Sequence, residues 1–427
     1  MSTTTLTNSF PVTDLGEIKL KVLNWAQRFN TFCFLDNHQY QIRPHTQECI
    51  LGAGIRRKIH ASGSDALHML QQFSEEKRTW LFGHLNYDLQ TEAGQEASRH
   101  TDRIQFPDLF FFEPEIIINL NEREMIIEAG DPQEIFDAIS SSPERKAQLQ
   151  SAPVIQNRIQ KEQYLSIIRE LQKHILRGDC YEINFCQEFF AEKTVIDPVA
   201  VYKKLTAISP NPFSALYRLD DKWLICASPE RFLKKEGNRV LSQPIKGTLK
   251  RNAGDNSDDA KTREELYRSG KDRSENVMVV DLVRNDLAKV CKEGTVEVEE
   301  LYGIYSFPQV HQMISTVGGT LKKNVSFAEI IQATFPMGSM TGAPKKRVME
   351  LIDQFEKTKR GIFSGCLGYS LPNGDFDFNV VIRSIMYNSF AGYLSFQAGS
   401  GITFYSDPEK EWEECLLKAE AIKTALS

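Results

Sequence analysis

Short apolar runs that alternate with helical patterns constrain the fold of this chain more than any other feature. Beyond residue 160, runs of strand length are separated by at least three patterns of helical periodicity. This alternation predicts a mixed α/β (α+β) architecture rather than a helical bundle. The strand-like runs are Tyr181 to Phe190, Trp223 to Ala227, Phe378 to Ile385 and Tyr393 to Phe396.

The clearest helix is predicted from Lys161. Its apolar positions recur every three to four residues, no proline interrupts them, and Gly178 stands where a helix commonly ends. These positions are Leu165, Ile168, Leu171 and Ile175.

The length of the chain allows several domains or one large fold. At about 100–200 residues per domain, 427 residues suit two or three units, or one body with a deep pocket. The stretch from Ser140 to Gln150 is polar and contains Pro143, so it is the best linker candidate. It divides the chain into regions 1–150 and 155–427.

Composition bears on partners and location. With 41% hydrophobic and 25% charged residues, the chain is typical of a soluble globular protein. Its net charge of −6 argues against a nucleic-acid or anionic membrane partner. The eight cysteines have no zinc-ligand spacing, so we expect reduced, mostly buried thiols. Since neither a signal peptide nor a membrane span is recognisable, a cytoplasmic location is predicted.

The segment QPIKGT, residues 243–248, places Lys246 between a turn-forming proline and a glycine that a hydroxyl follows. A lysine attacks carbon only when its amine is neutral, which requires a pocket that lowers its pKa. On this segment alone, Lys246 is either such a nucleophile or a solvated surface charge. Glu230 is a candidate for the general acid or base that such a nucleophile needs.

Two acidic pairs share the spacing i, i+3: Asp272 with Glu275, and Glu411 with Glu414. If both segments are helical, each presents two carboxylates on one face, and the two faces together would hold a divalent cation. Magnesium suits this arrangement, because it accepts one or two carboxylates and keeps waters or substrate oxygens. The alternative is a solvated, salt-bridged helix surface.

Other segments have the character of anion sites. FPMGSMTGAPKK, residues 335–346, runs into a helical pattern at Lys345, and a helix N-terminus favours a carboxylate, although a plain structural turn fits as well. QAGSGI, residues 397–402, allows close backbone approach to a ligand, or is only a bulge. Arg383 interrupts an apolar strand and needs an anionic partner. His311 is either a proton donor or a satisfied polar group.

Taken together, these segments resemble the chorismate-utilising enzymes, from about residue 160 to the C-terminus. The resemblance is carried by an ordered series of motifs: PIKGT, SENVMVVDLVRND, FPMGSMTGAPK, CLGYS, VVIRS, AGSGI and SDPEKEWEE. The lysine of PIKGT resembles the branch called aminodeoxychorismate synthase component I, whereas the similar anthranilate synthases carry alanine there. The implied fold is a two-sheet α/β sandwich flanked by helices, like anthranilate synthase component I.

The resemblance implies a transaminase-class transferase reaction. Neutral Lys246 would add to C2 of chorismate while Glu230 protonates the departing C4 hydroxyl, and ammonia would then add at C4. The product, 4-amino-4-deoxychorismate, leads to 4-aminobenzoate and folate. A separate glutamine amidotransferase subunit would supply the ammonia. Mg²⁺ would be held by Glu275 and Glu414, with Asp272 and Glu411 in support. The implied substrate-holding residues are Gly247, Thr248, Thr341, Lys345, Tyr369, Arg383, Gly399 and Ser400.

Two positions depart from the family pattern. His311 precedes the position where the family has its histidine, so its catalytic role is in question. Glu182 replaces the glutamine of ammonia-using members and the lysine of water-using members. The absent lysine argues against isochorismate or salicylate synthesis. The N-terminal region, 1–150, resembles the family more faintly, and in relatives it holds a tryptophan site.

Two alternatives to C4 amination remain. One is amination at C2 with loss of pyruvate, as in anthranilate synthase, and the residue at position 246 discriminates against it. The other is a non-catalytic subunit that only binds a partner or an aromatic ligand. The presence of Lys246, Glu230 and four metal-side acids argues against that alternative, because a binding module needs no activated amine.

Overall fold

Two antiparallel β-sheets, with helices packed on them, form the framework of the protein. The computed structural model describes residues 5–41, 43–44, 47–89, 98–143, 152–251, 254 and 256–427. Within these residues, the large sheet has twelve strands and the small sheet has ten. In chain order the strands are β1 (Leu6–Pro11), β2 (Thr31–Asp36), β3 (Cys49–Ala53), β4 (Arg57–Ala61), β5 (Leu81–Leu85), β6 (Leu109–Glu113), β7 (Ile116–Leu120), β8 (Glu124–Ala129), β9 (Gln156–Asn157), β10 (Glu182–Ala191), β11 (Phe213–Leu219), β12 (Lys222–Ser228), β13 (Arg231–Glu236), β14 (Arg239–Gln243), β15 (Ile245–Lys250), β16 (Glu297–Ser306), β17 (Val310–Thr320), β18 (Gly342–Ala343), β19 (Cys366–Ser370), β20 (Phe376–Val380), β21 (Ser384–Asn388) and β22 (Tyr393–Ile402).

The strand order mixes distant parts of the chain. The large sheet runs β1-β8-β7-β3-β2-β11-β12-β21-β22-β10-β18, and β9 pairs with β10. The small sheet runs β15-β17-β14-β13-β20-β19-β5-β6-β4, and β16 pairs with β17. Each sheet therefore contains strands from both sides of residue 150.

The helices of the described residues connect these strands. They are α1 (Leu15–Ala26), α2 (Ala66–Glu76), α3 (Pro132–Ser140), α4 (Lys161–Leu176), α5 (Pro198–Ile208), α6 (Asn256–Arg268), α7 (Gly270–Val290), α8 (Phe327–Thr334), α9 (Lys345–Phe355) and α10 (Pro408–Leu426), with a short 3₁₀ turn at Gly338–Met340. Helix α4 confirms the helix predicted from Lys161: Leu165, Ile168 and Leu171 are buried, and Gly178 takes a positive φ of 83° just past its end.

The two sheets pack face to face, and β2 shows how. Cys33 lies in the apolar core shared with the small sheet, whereas Phe32 and Phe34 lie in a second core under α1, α4, α5 and α10. Gly52 of β3 approaches Phe82 of β5 so closely that a Cβ would lie 2.7 Å from the ring. The period of two along each strand thus gives the large sheet one face for the helices and one for the small sheet.

The structure confirms the predicted fold class, a mixed α/β sandwich of two sheets flanked by helices. The boundary between regions 1–150 and 155–427 stays a prediction. Of the proposed linker, Ser140 ends α3, and residues 144–151 lie outside the described residues. All eight cysteines are buried and none forms a disulfide, as expected. In the described part of the chain, no helix is long and apolar enough to cross a membrane.

Candidate active site

Lys246 lies on β15, at the edge of the small sheet, and forms an ion pair with Glu182, the first residue of β10 in the large sheet. The Lys246 Nζ atom donates a hydrogen bond of 2.6 Å to Glu182 Oε1. The two side chains are only 10% and 3% exposed, respectively. The candidate nucleophile therefore lies where the two sheets face each other.

Lys246 is held as an ammonium by its carboxylate neighbours. Burial favours a lower pKa, but the negative charges of Glu182, Glu275 and Glu230 together raise the pKa of Lys246 well above its usual value. A nucleophilic amine requires a lowered pKa, whereas these charges favour the ammonium form of Lys246. The physical reason is that three acidic residues surround the amine.

Glu230 lies between β12 and β13, and its side chain is buried. Burial raises the pKa of Glu230 to about 7, although the nearby charge of Lys246 acts against the shift. A carboxyl group with this pKa carries a proton for part of the time at neutral pH, which a general acid requires. The structure thus brings the two predicted catalytic residues together.

Both acidic pairs lie on helices, as their spacing predicted: Asp272 and Glu275 in the first two turns of α7, and Glu411 and Glu414 in the first two turns of α10. Ser269 caps α7 by accepting a hydrogen bond from the backbone N–H of Asp272, and Asp407 caps α10. Lys271 belongs to the first turn of α7, and its Nζ atom lies 3.8 Å from Glu275 Oε1 and 3.7 Å from Glu411 Oε1 of α10. Burial favours a lower pKa for Lys271, but all four acidic residues of the pairs together raise it. The two pairs therefore share one electrostatic environment.

The acidic side chains fit a magnesium ion only in part. Glu275 Oε1 is buried and has no hydrogen-bond partner in the described residues, so a cation would satisfy it. Glu411 is instead bound by the hydroxyl of Ser400, and Glu414 by Lys418 at 2.7 Å. Nowhere in the described residues do three or more His, Cys, Asp or Glu side chains form a ready metal cluster. Such a geometry suits an ion that takes one or two carboxylates and completes its shell with other oxygens.

Arg383 breaks the strand that the sequence predicted from Phe378 to Ile385. The run is two strands, β20 and β21, and Arg383 stands between them with a φ of 52°. Its guanidinium makes no hydrogen bond or ion pair to any described residue, although the charge of Glu414 acts on it. Burial lowers the pKa of Arg383. A half-buried cation without a close partner is available to an anionic ligand.

Gly247 and Thr248 follow Lys246 on β15. Gly247 takes a φ of 90°, and a Cβ there would lie 2.9 Å from the side chain of Asp272, so the strand can approach α7 only with glycine. Thr248 is exposed and pairs with Gln312 on β17. Gly247 therefore lies against Asp272, one of the four acidic residues of the two pairs. The described contacts of Thr248 are with the neighbouring strand, β17.

Thr341, in the loop before α9, and Lys345, the first residue of α9, both form hydrogen bonds to other residues of the protein. The Thr341 hydroxyl is fully buried and donates to the carbonyl oxygen of Met337 at 3.1 Å. The Lys345 Nζ atom donates to Asp286 Oδ2 at 2.6 Å. Because Asp286 already neutralises Lys345, a direct role of this lysine on a substrate carboxylate has no support from the geometry.

The glycine-rich strand and Tyr369 make contacts within the protein. Gly399 lies in β22, where a Cβ would come within 1.9 Å of the Phe185 carbonyl oxygen, so glycine allows the close approach of β22 to β10. Ser400 binds the Glu411 carboxylate. Tyr369 packs on Trp80 and lines a separate pocket that does not include Lys246 or Glu230. Substrate binding by Gly399 or Tyr369 therefore has no geometric support.

His311 is a satisfied polar group. It is buried and contacts Asp259 at 3.1 Å and the Ser306 hydroxyl at 2.9 Å. The sequence did not assign a role to Glu182 or Lys271, the two further charged residues of the site. Glu182 had a visible signal, since an acidic residue stands within a strongly apolar strand and needs a buried partner. No comparable signal marked Lys271 among the other surface lysines.

Comparison with known proteins shows the family of the chain. A family profile described as chorismate binding enzyme matches residues 22–424. The chain belongs to this family. It is 34% identical over 354 residues to aminodeoxychorismate synthase component 1 of Klebsiella aerogenes, covering 80% of this chain and 75% of that protein. It is also 34% identical over 370 residues to the chloroplastic aminodeoxychorismate synthase of Arabidopsis thaliana, covering 81% of this chain but only 40% of that protein.

The fold is also that of a solved family member. Anthranilate synthase component I from Streptococcus pneumoniae TIGR4 superposes with a TM-score of 0.75, covering 91% of this chain and 95% of that one. The sequence identity is 23%, so this likeness bears on the fold alone. Proteins that are named for different reactions can share this two-sheet fold. The reaction of this chain must therefore be argued from its site.

Proposed function

We propose that this chain is the synthase component of an aminodeoxychorismate synthase, which replaces the C4 hydroxyl of chorismate with an amino group. The observation that carries the proposal is the position of Lys246, buried between the sheets beside Glu182 and Glu230. A lysine amine is a nucleophile, and a two-step covalent route divides one difficult displacement into two easier ones. The similarity to the Klebsiella protein supports the same reaction.

In the proposed reaction, Lys246 and Glu230 have complementary roles. The neutral amine of Lys246 forms a bond to C2, the ring double bond shifts, and the C4–O bond breaks. Glu230 gives its proton to the departing oxygen, which leaves as water. Ammonia then forms a bond to C4, the double bond returns, and the C2–N bond to Lys246 breaks. The pKa of Glu230, raised to about 7 by burial, suits this donor role.

The carboxylates of chorismate require cations at the site. Arg383 is half-buried and has no close anionic partner among the described residues, so it is a candidate for one carboxylate. Mg²⁺ would be held by Glu275 and Glu414, with Asp272 and Glu411 nearby. When bound, the ion would neutralise and orient a substrate carboxylate. The unsatisfied Glu275 Oε1 atom is the feature that supports it.

Replacing Glu275 with glutamine should weaken Mg²⁺ binding by about 100-fold, because a charged oxygen ligand is lost. Isothermal titration of Mg²⁺ into the purified chain measures this directly, without turnover. Glu413→Gln is the matched control, since Glu413 is exposed on α10 beside Glu414. Equal Mg²⁺ affinity in Glu275→Gln and in the control would remove Glu275 from the metal site.

Gly401 leaves the space that the ion pair of Lys246 and Glu182 occupies. A Cβ at this position would lie 2.5 Å from Glu182 Oε1 and 3.0 Å from Lys246 Nζ. Gly401→Ala should therefore displace the amine and lower kcat roughly 10- to 100-fold, with little change in Tm because both neighbours are side-chain ends. Gly130→Ala is the control, because a Cβ there meets nothing within 4 Å. An unchanged kcat in Gly401→Ala would show that the position of the amine is not critical.

The ammonia is proposed to come from a separate glutamine amidotransferase subunit. Free ammonia is largely protonated at neutral pH and is then not nucleophilic. The Klebsiella relative is named component 1, which supports a second component. The Arabidopsis relative is much longer, since the match spans 40% of its length.

A product assay tests the proposal. The purified chain would be incubated with chorismate, Mg²⁺ and an ammonium salt at mildly alkaline pH, and the products identified by mass spectrometry. We expect 4-amino-4-deoxychorismate, detected as 4-aminobenzoate after a lyase is added. Anthranilate would instead favour amination at C2, and isochorismate or salicylate would favour addition of water. Either result would overturn C4 amination.

A further inference from the structure

Glu182 is a buried carboxylate in direct contact with the proposed nucleophile. Its side chain is 3% exposed, and Oε1 accepts a hydrogen bond of 2.6 Å from Lys246 Nζ. In the described part of the chain, Lys246 is the one side chain that hydrogen-bonds the Glu182 carboxylate. An isolated buried carboxylate is costly, so this pairing with the amine accounts for its presence inside the protein.

We propose that Glu182 is the base that accepts the proton of Lys246 before the amine attacks the substrate. The inference rests on the proposed function, because it assigns the proton acceptor for that nucleophile. It adds a third catalytic residue to Lys246 and Glu230.

The proton balance of this step is complete. The Lys246 ammonium gives one proton to Glu182, which leaves a neutral amine and a carboxylic acid. After ammonia has displaced the amine from C2, Glu182 returns the proton to Lys246. The proton that Glu230 gave to the leaving water is restored from the new ammonium group at C4. No oxidant, reductant or further co-reactant is needed.

Exclusion of water makes the transfer feasible. Burial is the largest single influence on the pKa of Lys246 and favours the neutral amine, whereas the surrounding carboxylates favour the ammonium. A substrate bound against Lys246 would exclude water and disfavour the charged pair relative to the neutral amine and carboxylic acid. The proton would move along the existing hydrogen bond of 2.6 Å from Lys246 Nζ to Glu182 Oε1.

The other acidic neighbours of Lys246 are less suited to the task. Glu230 must be protonated to act as the acid, and burial already raises its pKa to about 7. Glu275 belongs to the two acidic pairs on α7 and α10, and its Oε1 atom lies 3.8 Å from Lys271 Nζ. Neither makes a hydrogen bond to Lys246 Nζ among the described contacts, whereas Glu182 does.

The test uses two substitutions at Glu182. Glu182→Gln keeps the shape and an oxygen acceptor but has no basic site, and we expect kcat to fall about 100-fold or more, with KM for chorismate nearly unchanged. Glu182→Ala should lose as much activity and leave a space beside Gly401. Added formate should restore part of that activity, since it supplies a carboxylate, whereas formamide of similar size should not. Glu188→Gln is the control, as Glu188 is also buried on β10 but pairs with Arg158.

The outcomes separate this inference from the proposed function. C4 amination by the unsubstituted chain is measured first, and its absence would overturn both. If the unsubstituted chain is active and Glu182→Gln keeps or exceeds its kcat, Glu182 only holds the ammonium and the inference is wrong. Equal rescue of Glu182→Ala by formate and formamide would likewise assign Glu182 a purely space-filling role. Rescue of Glu182→Ala by formate but not by formamide supports the role of Glu182 as the base.

Discussion

Replacing Lys246 with alanine is expected to lower kcat for C4 amination by about 10³-fold or more, the order of loss seen when a catalytic nucleophile is removed. The amine is the one group at the site that would form the covalent bond to C2. The loss should appear in kcat more than in KM, because Arg383 and the two acidic pairs, which are proposed to bind the substrate and Mg²⁺, remain in place. Steady-state assays with saturating ammonium and Mg²⁺ measure the two constants.

Loss of activity alone would not demonstrate a covalent bond, so a second measurement is needed. Without ammonia, the unsubstituted chain should accumulate an adduct whose mass exceeds the protein by chorismate less one water. Lys246→Ala should show no adduct, and digestion should locate it on residue 246 in the unsubstituted chain. Lys250→Ala is the control, since Lys250 is exposed on the same strand. Full activity in Lys246→Ala would contradict the covalent route.

The sequence predicted those features that depend on local pattern. Helix α4 was recognised because its apolar positions have helical spacing and Gly178 ends it. The acidic pairs were placed on helix faces because i, i+3 spacing has this consequence, and α7 and α10 confirm it. The order of the motifs along the chain identified the family, and with it the sandwich of two sheets.

The partners of charged side chains could not be predicted in the same way. Lys345 pairs with Asp286 and Lys246 with Glu182, and in each case the two residues are far apart in sequence. A sequence shows that a lysine follows a glycine-rich loop, but it does not show which acid the fold brings beside it. For the same reason, the carboxylates that raise the pKa of Lys246 could not be predicted.

Glu356, the residue directly after α9, joins the chain segments that support the site. Its carboxylate accepts two hydrogen bonds from the buried Arg360, of 2.9 and 2.6 Å, and one of 2.9 Å from the backbone N–H of Cys186 on β10. Arg360 in turn donates to the carbonyl oxygens of Met340 at 2.6 Å and Asn184 at 2.8 Å. The pair therefore ties the loop before α9 to the strand that begins with the proposed base.

Replacing Glu356 with alanine should destabilise the protein by about 3–5 kcal/mol, because the Arg360 charge would remain buried without its partner. Scanning calorimetry should show Tm lowered by about 3–6 °C. Glu350→Ala is the control, since Glu350 is 51% exposed and pairs with Arg347 at the surface, where such pairs contribute little. The double substitution Glu356→Leu with Arg360→Met removes both charges and should recover much of the lost stability. If Glu356→Ala unfolds at the same temperature as the control, the buried pair does not hold these segments together, and the position of β10 must depend on sheet pairing alone.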